Sequence, residues 1–423
     1  MSSLQPVRGT HDLLPEAMRR HRAVIDVARD VAARYGFQEM ATPIFEFTEV
    51  FKRTLGDTSD IVTKEMYTFA MGAGTGSAKD EEGATITLRP ENTAGVARAF
   101  ISGGLAQQVP VKVFYAGPMF RHERPQKGRQ RQFHQFGVEL IGVPPPQADI
   151  EVIACGAQIL ETLGLADAVP LELNTLGDPE SRAAYREALV TYFSAHLDAL
   201  SEDSRDRLTR NPLRILYSKD AGNRQLVADA PLFADYLNET SRDFFAAVRE
   251  GLDALGIAYT LNPRLVRGLD YYCHTAFEFT TDRLGAQSAV LAGGRYDGLI
   301  QTMGGPATPG VGWASGVERL AMLLEHDIPA PRPIAVVPVG DAAQPTALKV
   351  TQDLRHAGFV VELGYAGNLK KRMQRANKMN ARAALLFGEE ELAAGKATLR
   401  DLDSGEQELV SLDSLAERLS RLA

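Results

Sequence analysis

The sequence predicts a multidomain chain of mixed α and β structure, in which a sheet-forming region is split by a mainly helical insertion and followed by a compact α/β domain. Three observations predict it. From Val113 to Gly142, two strand-like runs flank an arginine-rich loop, the pattern of a long β-hairpin. Between Leu171 and about Tyr259 that pattern yields to alternating charge, as in SEDSRDRLTRNP, and to helix formers around Arg242 to Leu255. Beyond the linker-like stretch PAPRPIAVVPVG, strands and helices alternate as in a small α/β domain. These breaks divide the chain into 1–170, 171–260, 261–328 and 333–423.

Taken in order, Ala17, Val24, Ile25, Val27, Ala28, Val31 and Ala32 recur at near-helical spacing up to Gly36, which predicts an amphipathic helix. A strand is expected from Phe37 to Phe47, at an edge because Pro43 has no amide N–H for a central ladder. Short strands at Glu65 to Ala70 and Ala84 to Leu88 bracket MGAGTGSAKDEEG. That loop lacks both the Gly-Lys-Ser/Thr ending of a phosphate loop and the GxGxxG spacing, so it reads as a hairpin connection. In TLRPENTAGVARAF a strand ends at Leu88 and a helix starts near Thr93, so Glu91 and Thr93 project from a strand end. Either residue alone is also explained as a helix-start device, Thr93 as N-cap and Glu91 as a first-turn acid.

The hairpin carries Arg121, Arg124, Lys127, Arg129 and Arg131 at its tip against one acid, Glu123. On its return strand Phe133, Gln135, Gly137, Glu139 and Ile141 share one face, and His134, Phe136, Val138 and Leu140 the other. A carboxamide and a carboxylate on one half-buried face need partners, since an unpaired buried polar group costs roughly 1–3 kcal/mol. The face reads as a pocket floor, with an exposed edge hairpin as the plain alternative.

After PPPQAD, a helix is expected through Ile150 to Leu163. Sheet pattern returns in LVRGLDYYCHTAFEFTTD and SAVLAGGRYDGLI, with Arg267, Asp270, Tyr271 and Tyr272 at the head of the first strand. Cys273 and His274 are adjacent, but neighbours in a strand point to opposite faces, which argues against a nucleophile and base. GVGWASGVERLAMLLE predicts a strand entering a helix that displays Arg319. In the last domain, strands at Ile334 to Val339, Phe359 to Leu363 and Ala383 to Phe387 alternate with helices at Leu348 to His356 and Leu369 to Met379. The second helix bears Lys370, Lys371, Arg372, Arg375 and Lys378, a solvated basic face or a local RNA contact.

Composition narrows the classes. The chain has 423 residues, 44% hydrophobic and 24% charged, ordinary for a globular protein, and no apolar run approaches the roughly 20 residues of a membrane span. No basic-then-apolar leader is evident, so a cytoplasmic setting is expected, without a membrane partner. Cys155 and Cys273 form neither a disulfide framework nor a thiolate metal site, and no protein-only metal site is expected. A net charge of −8 leaves room for nucleic acid only at local basic patches.

The combination of motifs resembles the histidyl-tRNA synthetases, a family of class II aminoacyl-tRNA synthetases, over almost the whole chain. The helix and strand to Pro43 are similar to the first class II motif, VFYAGPMFRHE through QFHQFGVELIG to the second, and GVGWASGVERL to the third. RPENTAG, LVRGLDYY and LAGGRYDGL resemble peptides characteristic of the histidine-specific enzymes. The resemblance implies an α+β catalytic domain with an antiparallel sheet flanked by helices, a helical insertion near the acceptor stem, a C-terminal anticodon-binding α/β domain, and a homodimer built on the first motif. It implies ATP-dependent joining of L-histidine to tRNA(His) through a histidyl-adenylate, with Mg2+ bound along with the ATP phosphates.

Carried over position by position, Glu91 and Thr93 hold the substrate amino group, with Gln135 assisting, and Arg121 bridges the histidine carboxylate and the α-phosphate. Arg267 meets that phosphate from the opposite side. Arg129 and Arg319 grip the outer phosphates, Phe133 stacks on adenine, Glu123 completes the ATP site, and Glu139 with Tyr271 and Tyr272 lines the histidine pocket. Lys370, Lys371, Arg372 and Arg375 are expected to meet tRNA. The sequence departs from the family pattern at Asn92, commonly glycine, at Gln130, commonly aromatic, and at Cys273-His274, frequently Asn-Arg. Alternatives of another class are a silent paralogue serving as regulatory subunit of ATP phosphoribosyltransferase, or a tRNA sensor. The C-terminal domain counts against the first, and Arg121, Arg267 and Arg319 count against both.

Overall fold

The chain, as a computed structural model, is described over residues 4–56, 59, 61–70, 84–126, 128–217, 223–266, 271–285, 289–325 and 327–422. It separates into two units, Met1–Ile328 and Pro329–Ala423. The glycine-rich loop at 71–83, Lys127, and Arg267 to Asp270 lie outside the described residues.

Helix α1 (Pro15–Arg34) begins with a proline, which suits a position whose N–H has no helical partner. Its Val24, Ala28, Val31 and Ala32 are fully buried against the sheet, as their spacing predicts. The expected strand from Phe37 to Phe47 is two strands in two sheets: β1 (Gln38–Glu39) runs parallel to β5 (Val111–Phe120), while β2 (Phe45–Phe47) joins another sheet. Pro43 lies between them, where the missing donor interrupts a ladder. Past α2 (Thr48–Leu55), β3 (Tyr67–Ala70) and β4 (Thr85–Leu88) complete that second sheet in the order β2-β4-β3, and α3 (Thr93–Ser102) follows.

Strands β5 and β6 (Gln132–Ile141) pair antiparallel from Val111↔Ile141 to Phe120↔Gln132, the long hairpin expected. Phe136, Val138 and Leu140 enter the core with α1 and α4 (Gln147–Thr162). Strand β7 (Leu171–Thr175) corrects the boundary of the insertion, because it pairs with β9 (Cys273–Thr280) inside the main sheet. Helices α5 (Pro179–Ser194), α6 (Glu202–Arg210), α7 (Arg224–Asp229) and α8 (Glu239–Ala254) then intervene before β8 (Tyr259–Leu261) rejoins it beside β7. With β10 (Ala289–Arg295), α9 (Leu299–Thr302), β11 (Gly310–Gly316) and α10 (Val317–Leu323), the eight-stranded sheet has the order β1-β5-β6-β11-β10-β9-β7-β8. Its centre is antiparallel, and each edge ends in a parallel pair.

One face of this sheet packs on α1, α4, α8 and α10, and the other on α3 and the rest of the insertion, where Tyr115, Tyr272 and Tyr296 join a second core. A fully buried ion pair, Asp149 with Arg295, ties α4 to β10. Removing one partner of such a pair costs about 3–5 kcal/mol, because the other charge is left buried.

The second unit has β12 (Ile334–Pro338), α11 (Gln344–His356), β13 (Val361–Leu363), α12 (Leu369–Lys378) and β14 (Ala383–Phe387), close to expectation. Then α13 (Glu389–Ala393), the hairpin β15 (Lys396–Asp401) and β16 (Gln407–Ser411), and α14 (Leu415–Ser420) extend a sheet ordered β13-β12-β14-β15-β16.

Candidate active site

A cavity of about 330 Å³ opens on the main sheet where the β4–α3 turn, the β5–β6 hairpin, the start of β9 and the N-terminus of α10 meet. The structure brings Glu91, Thr93, Arg121, Glu123, Arg129, Phe133, Gln135, Tyr271, Tyr272 and Arg319 onto its wall. Gln130 also lines it.

The β4–α3 turn differs in detail from the sequence reading. Asn92, not Thr93, is the N-cap residue, and the Glu91 carboxylate accepts from the N–H groups of Thr93 (2.8 Å) and Ala94 (2.9 Å). Glu91 therefore closes the helix and presents a buried acid to the cavity at once, and burial pushes its pKa up. Asn92 accounts for its own presence in place of glycine: its Oδ1 accepts from the Thr42 hydroxyl (2.6 Å) and from Arg89 (3.2 Å).

Glu139 lies deeper than the strand alternation indicates. It lies under the cavity floor with no exposed surface. Its Oε1 accepts from the hydroxyls of Thr93 (2.6 Å) and Tyr115 (3.4 Å), and its Oε2 from Tyr296 (2.5 Å). Burial raises its pKa to about 8. When the carboxyl is protonated, one of these hydroxyls must turn and accept. The sequence does not mark Tyr115 and Tyr296 as its partners, although Tyr296 lies in LAGGRYDGL; they come from other strands, and their convergence has no local signal.

Glu139 carries a prediction for stability. Between the ordinary carboxyl value of 4.5 and about 8, the native state holds a proton that the unfolded chain has released. Stability from this group is therefore fully present below about 4.5, falls as pH rises towards 8, and levels above it, by at most roughly 1.4 kcal/mol per pH unit. Glu139→Gln is expected to flatten this part of the urea-unfolding profile between pH 5 and 8. An unchanged slope would assign the titration to another buried acid.

The arginines form another part of the wall. Arg121 Nε donates to the Pro90 carbonyl (2.8 Å), and its guanidinium lies 5.3 Å from the Phe133 ring centroid. Glu123, nearly buried, faces Arg129 at 2.6 Å and Arg121 at 3.9 Å. The Arg319 pKa is lowered by burial and by the neighbouring Arg129, the electrostatic condition an arriving anion relieves. Arg131 is turned away from the cavity wall, donating to the carbonyls of Glu123 and Arg8. Gln135 Oε1 is buried and finds no hydrogen-bond partner among the described residues.

Two carboxylates that the sequence reading missed, Glu278 and Glu318, also line the cavity. Glu278 was legible only as one position of an alternating strand. Glu318 clamps the hairpin, its carboxylate accepting from the His134 N–H at 2.9 and 3.0 Å and meeting His134 Nδ1 at 2.8 Å. His21 packs its ring edge-on against His134. Cys273 Sγ accepts from the Asp297 N–H, and burial pushes the thiol to about 12, which leaves no nucleophile beside His274.

The antiparallel-centred sheet and this arginine-walled cavity define a class II aminoacyl-tRNA synthetase fold. Residues 9–320 match the family model of histidyl-tRNA synthetase, and residues 333–422 that of an anticodon binding domain. A Rhodospirillum rubrum protein named histidine–tRNA ligase is 64% identical over 422 residues, with 100% of both chains covered. Its Gluconacetobacter diazotrophicus counterpart is 56% identical over 423 residues, again with 100% of both covered. The apo histidyl-tRNA synthetase of S. aureus superposes with a TM-score of 0.81 at 36% identity, covering 98% of this chain and 99% of that one. The chain belongs to the histidyl-tRNA synthetase family. Full-length relatives with the ligase name set aside the regulatory-subunit alternative.

Proposed function

We propose that the chain joins L-histidine to tRNA(His) at the expense of ATP. The observation that carries this reading is the buried Gln135 oxygen, without a hydrogen-bond partner among the described residues, in a cavity that Gln135 lines together with Glu91, Arg121, Arg129 and Arg319. The acceptors suit an ammonium group, and the guanidinium groups suit a carboxylate and phosphates.

In the first step the histidine carboxylate oxygen attacks the α-phosphorus of ATP, the bond to the β-phosphate oxygen breaks, and pyrophosphate leaves. Two anions must meet, so the work is alignment and neutralisation of charge, not base catalysis. Arg121 holds the carboxylate and the α-phosphate, Arg129 and Arg319 hold the outer phosphates, Phe133 takes the adenine, and by resemblance Arg267, outside the described residues, is assigned to the α-phosphate. Glu123 keeps Arg121 and Arg129 in place. Glu91, Thr93 and Gln135 hold the amino group. The imidazole enters beside Tyr271 and Tyr272, and its N–H replaces one of the three hydroxyls on Glu139, a requirement that analogues without this donor fail. Mg2+ would add neutralisation of the outer phosphates, and Glu278 and Glu123 are wall carboxylates whose oxygen donors suit a hard cation. In the second step the terminal ribose hydroxyl of the tRNA attacks the adenylate carbonyl, and AMP leaves.

The insertion between β7 and β8 meets the acceptor stem, and the second unit meets the anticodon. On α12, Lys370, Lys371 and Arg375 are exposed, but Arg372 is half-buried and donates to the Pro338 carbonyl, so it leaves the proposed contact face. The double variant Lys370→Glu/Lys371→Glu is expected to raise the KM for tRNA at least fivefold in aminoacylation, with pyrophosphate exchange unchanged; equal KM values would remove this face from tRNA binding. Exposed Phe45, Phe47 and Phe69 share one face of the β2-β4-β3 sheet, which supports a homodimer in which a second copy covers it. The working place is the cytoplasm, with tRNA.

Histidine-dependent exchange of labelled pyrophosphate into ATP by the purified protein tests the activity. No exchange at saturating histidine and ATP would sink it.

A further inference from the structure

The two ends of the insertion meet at a joint built from two similar peptides. Helix α5 starts in Asp178-Pro-Glu-Ser181 and α8 in Asn238-Glu-Thr-Ser241. Asp178 accepts from the Ser181 N–H (2.8 Å), and Asn238 from the Ser241 N–H (2.9 Å). Across the joint the Asn238 side chain donates to Asp178 (2.8 Å), the Asn238 N–H to Ser181 Oγ (3.0 Å), and the Asp178 N–H to Ser241 Oγ (3.1 Å). Each helix thus supplies part of the other's cap, and Ser181 and Ser241 are buried.

This joint grips the chain that enters β9. The His274 N–H donates to the Gly177 carbonyl (2.8 Å) and the Leu176 N–H to the His274 carbonyl (2.6 Å). His274 sits at φ +44°, a left-handed conformation that costs an L-residue energy unless its surroundings impose it, and its ring packs on Phe244 of α8 with centroids 4.6 Å apart. Early in α5, Arg182 Nη1 donates to the Tyr272 carbonyl at 2.7 Å. Tyr272 and Tyr271, ring centroids 4.5 Å apart, line the cavity.

We infer that Arg182 is a positioning residue for the amino-acid pocket: by holding the Tyr272 carbonyl, it makes the helical insertion, and not the sheet alone, set the affinity for histidine. The inference rests on the histidine-activating role proposed above. A guanidinium-to-carbonyl bond is charge-assisted, and without it the Tyr271–Tyr272 turn must be ordered at the expense of ligand binding. Because the Arg182 bond falls on the Tyr271–Tyr272 turn, which the proposed function gives to the amino acid, its effect falls on histidine and not on ATP.

The test is pyrophosphate exchange without tRNA. Arg182→Ala is expected to raise the KM for histidine about tenfold, the size of one lost charge-assisted hydrogen bond, with kcat and the KM for ATP within twofold of the parent chain. Arg182→Lys, which keeps one cationic donor, is expected to restore most of the affinity. Should Arg182→Ala fail to fold, Arg182→Gln serves, with the same split at smaller size. An unchanged histidine KM overturns the inference, as does a parallel rise in both KM values with a lowered Tm, the mark of a purely structural residue. Absence of exchange in the parent chain would instead remove the activity on which the inference rests.

Discussion

Arg121→Ala is expected to lower histidine-dependent pyrophosphate exchange by about 10²–10³-fold, the loss typical when one donor aimed at developing charge is removed. The fold is expected to survive, since the guanidinium contributes a hydrogen bond to the Pro90 carbonyl, a loose ion pair with Glu123 at 3.9 Å and a contact 5.3 Å from the Phe133 ring centroid, at a partly open site. With Nε tied to Pro90, the planar guanidinium has a set orientation, so its two terminal nitrogens can span a carboxylate and a phosphate oxygen. A lysine has neither the fork nor the second anchor, and Arg121→Lys is expected to recover less than about tenfold of the loss. Arg267→Ala is expected to cripple exchange in the same way, on chemical grounds and resemblance, as Arg267 lies outside the described residues. Parent-like exchange in either variant, at unchanged Tm, would remove that arginine from its role.

Gly312→Ala is expected to destabilise the first unit by at least about 3 kcal/mol and to abolish histidine binding in whatever folds. A Cβ at this position would lie 1.8 Å from Glu139 Oε2 and 2.4 Å from the Val138 carbonyl oxygen. The carbonyl belongs to the central sheet and cannot move away, and Glu139 is held by three hydroxyls. Relief must therefore come from spreading β6 from β11 or from expelling the carboxylate, and either one breaks the cavity floor. Gly298→Ala is the matched control, with no atom within 4 Å of its added Cβ and an expected change within about 0.5 kcal/mol. Urea midpoints of the two variants decide the matter: a Gly312 variant as stable as the Gly298 variant would show that the floor can yield.

The β5–β6 hairpin was legible from residues alone because a strand repeats every two positions, so the shared face of Phe133, Gln135 and Glu139 follows from counting. The order of strands and helices in the second unit was legible for a similar reason, since its segments are short, periodic and separated by breakers. The family and its activity came from long ordered motifs. Depth was not legible. Gln135 and Glu139 look alike in the alternation, yet one reaches the cavity wall and the other lies beneath it, because Gly312, Tyr115 and Tyr296 arrive from other strands and the last is 157 positions away from Glu139. Strand Leu171–Thr175 reads as part of the insertion from sequence, because a short apolar run carries no information about its partner, Thr275 to Phe279, across the whole helical segment. Arg372 looked like one more charge on a basic helix until the neighbouring strand placed the Pro338 carbonyl in its reach. Sequence by itself determined the elements, their periodic faces and the chemistry available, because these depend on neighbours in the chain. Tertiary structure alone decided which polar groups are buried, which are paired and which are left for a ligand, because hydrogen bonding and desolvation depend on atoms brought together from distant strands.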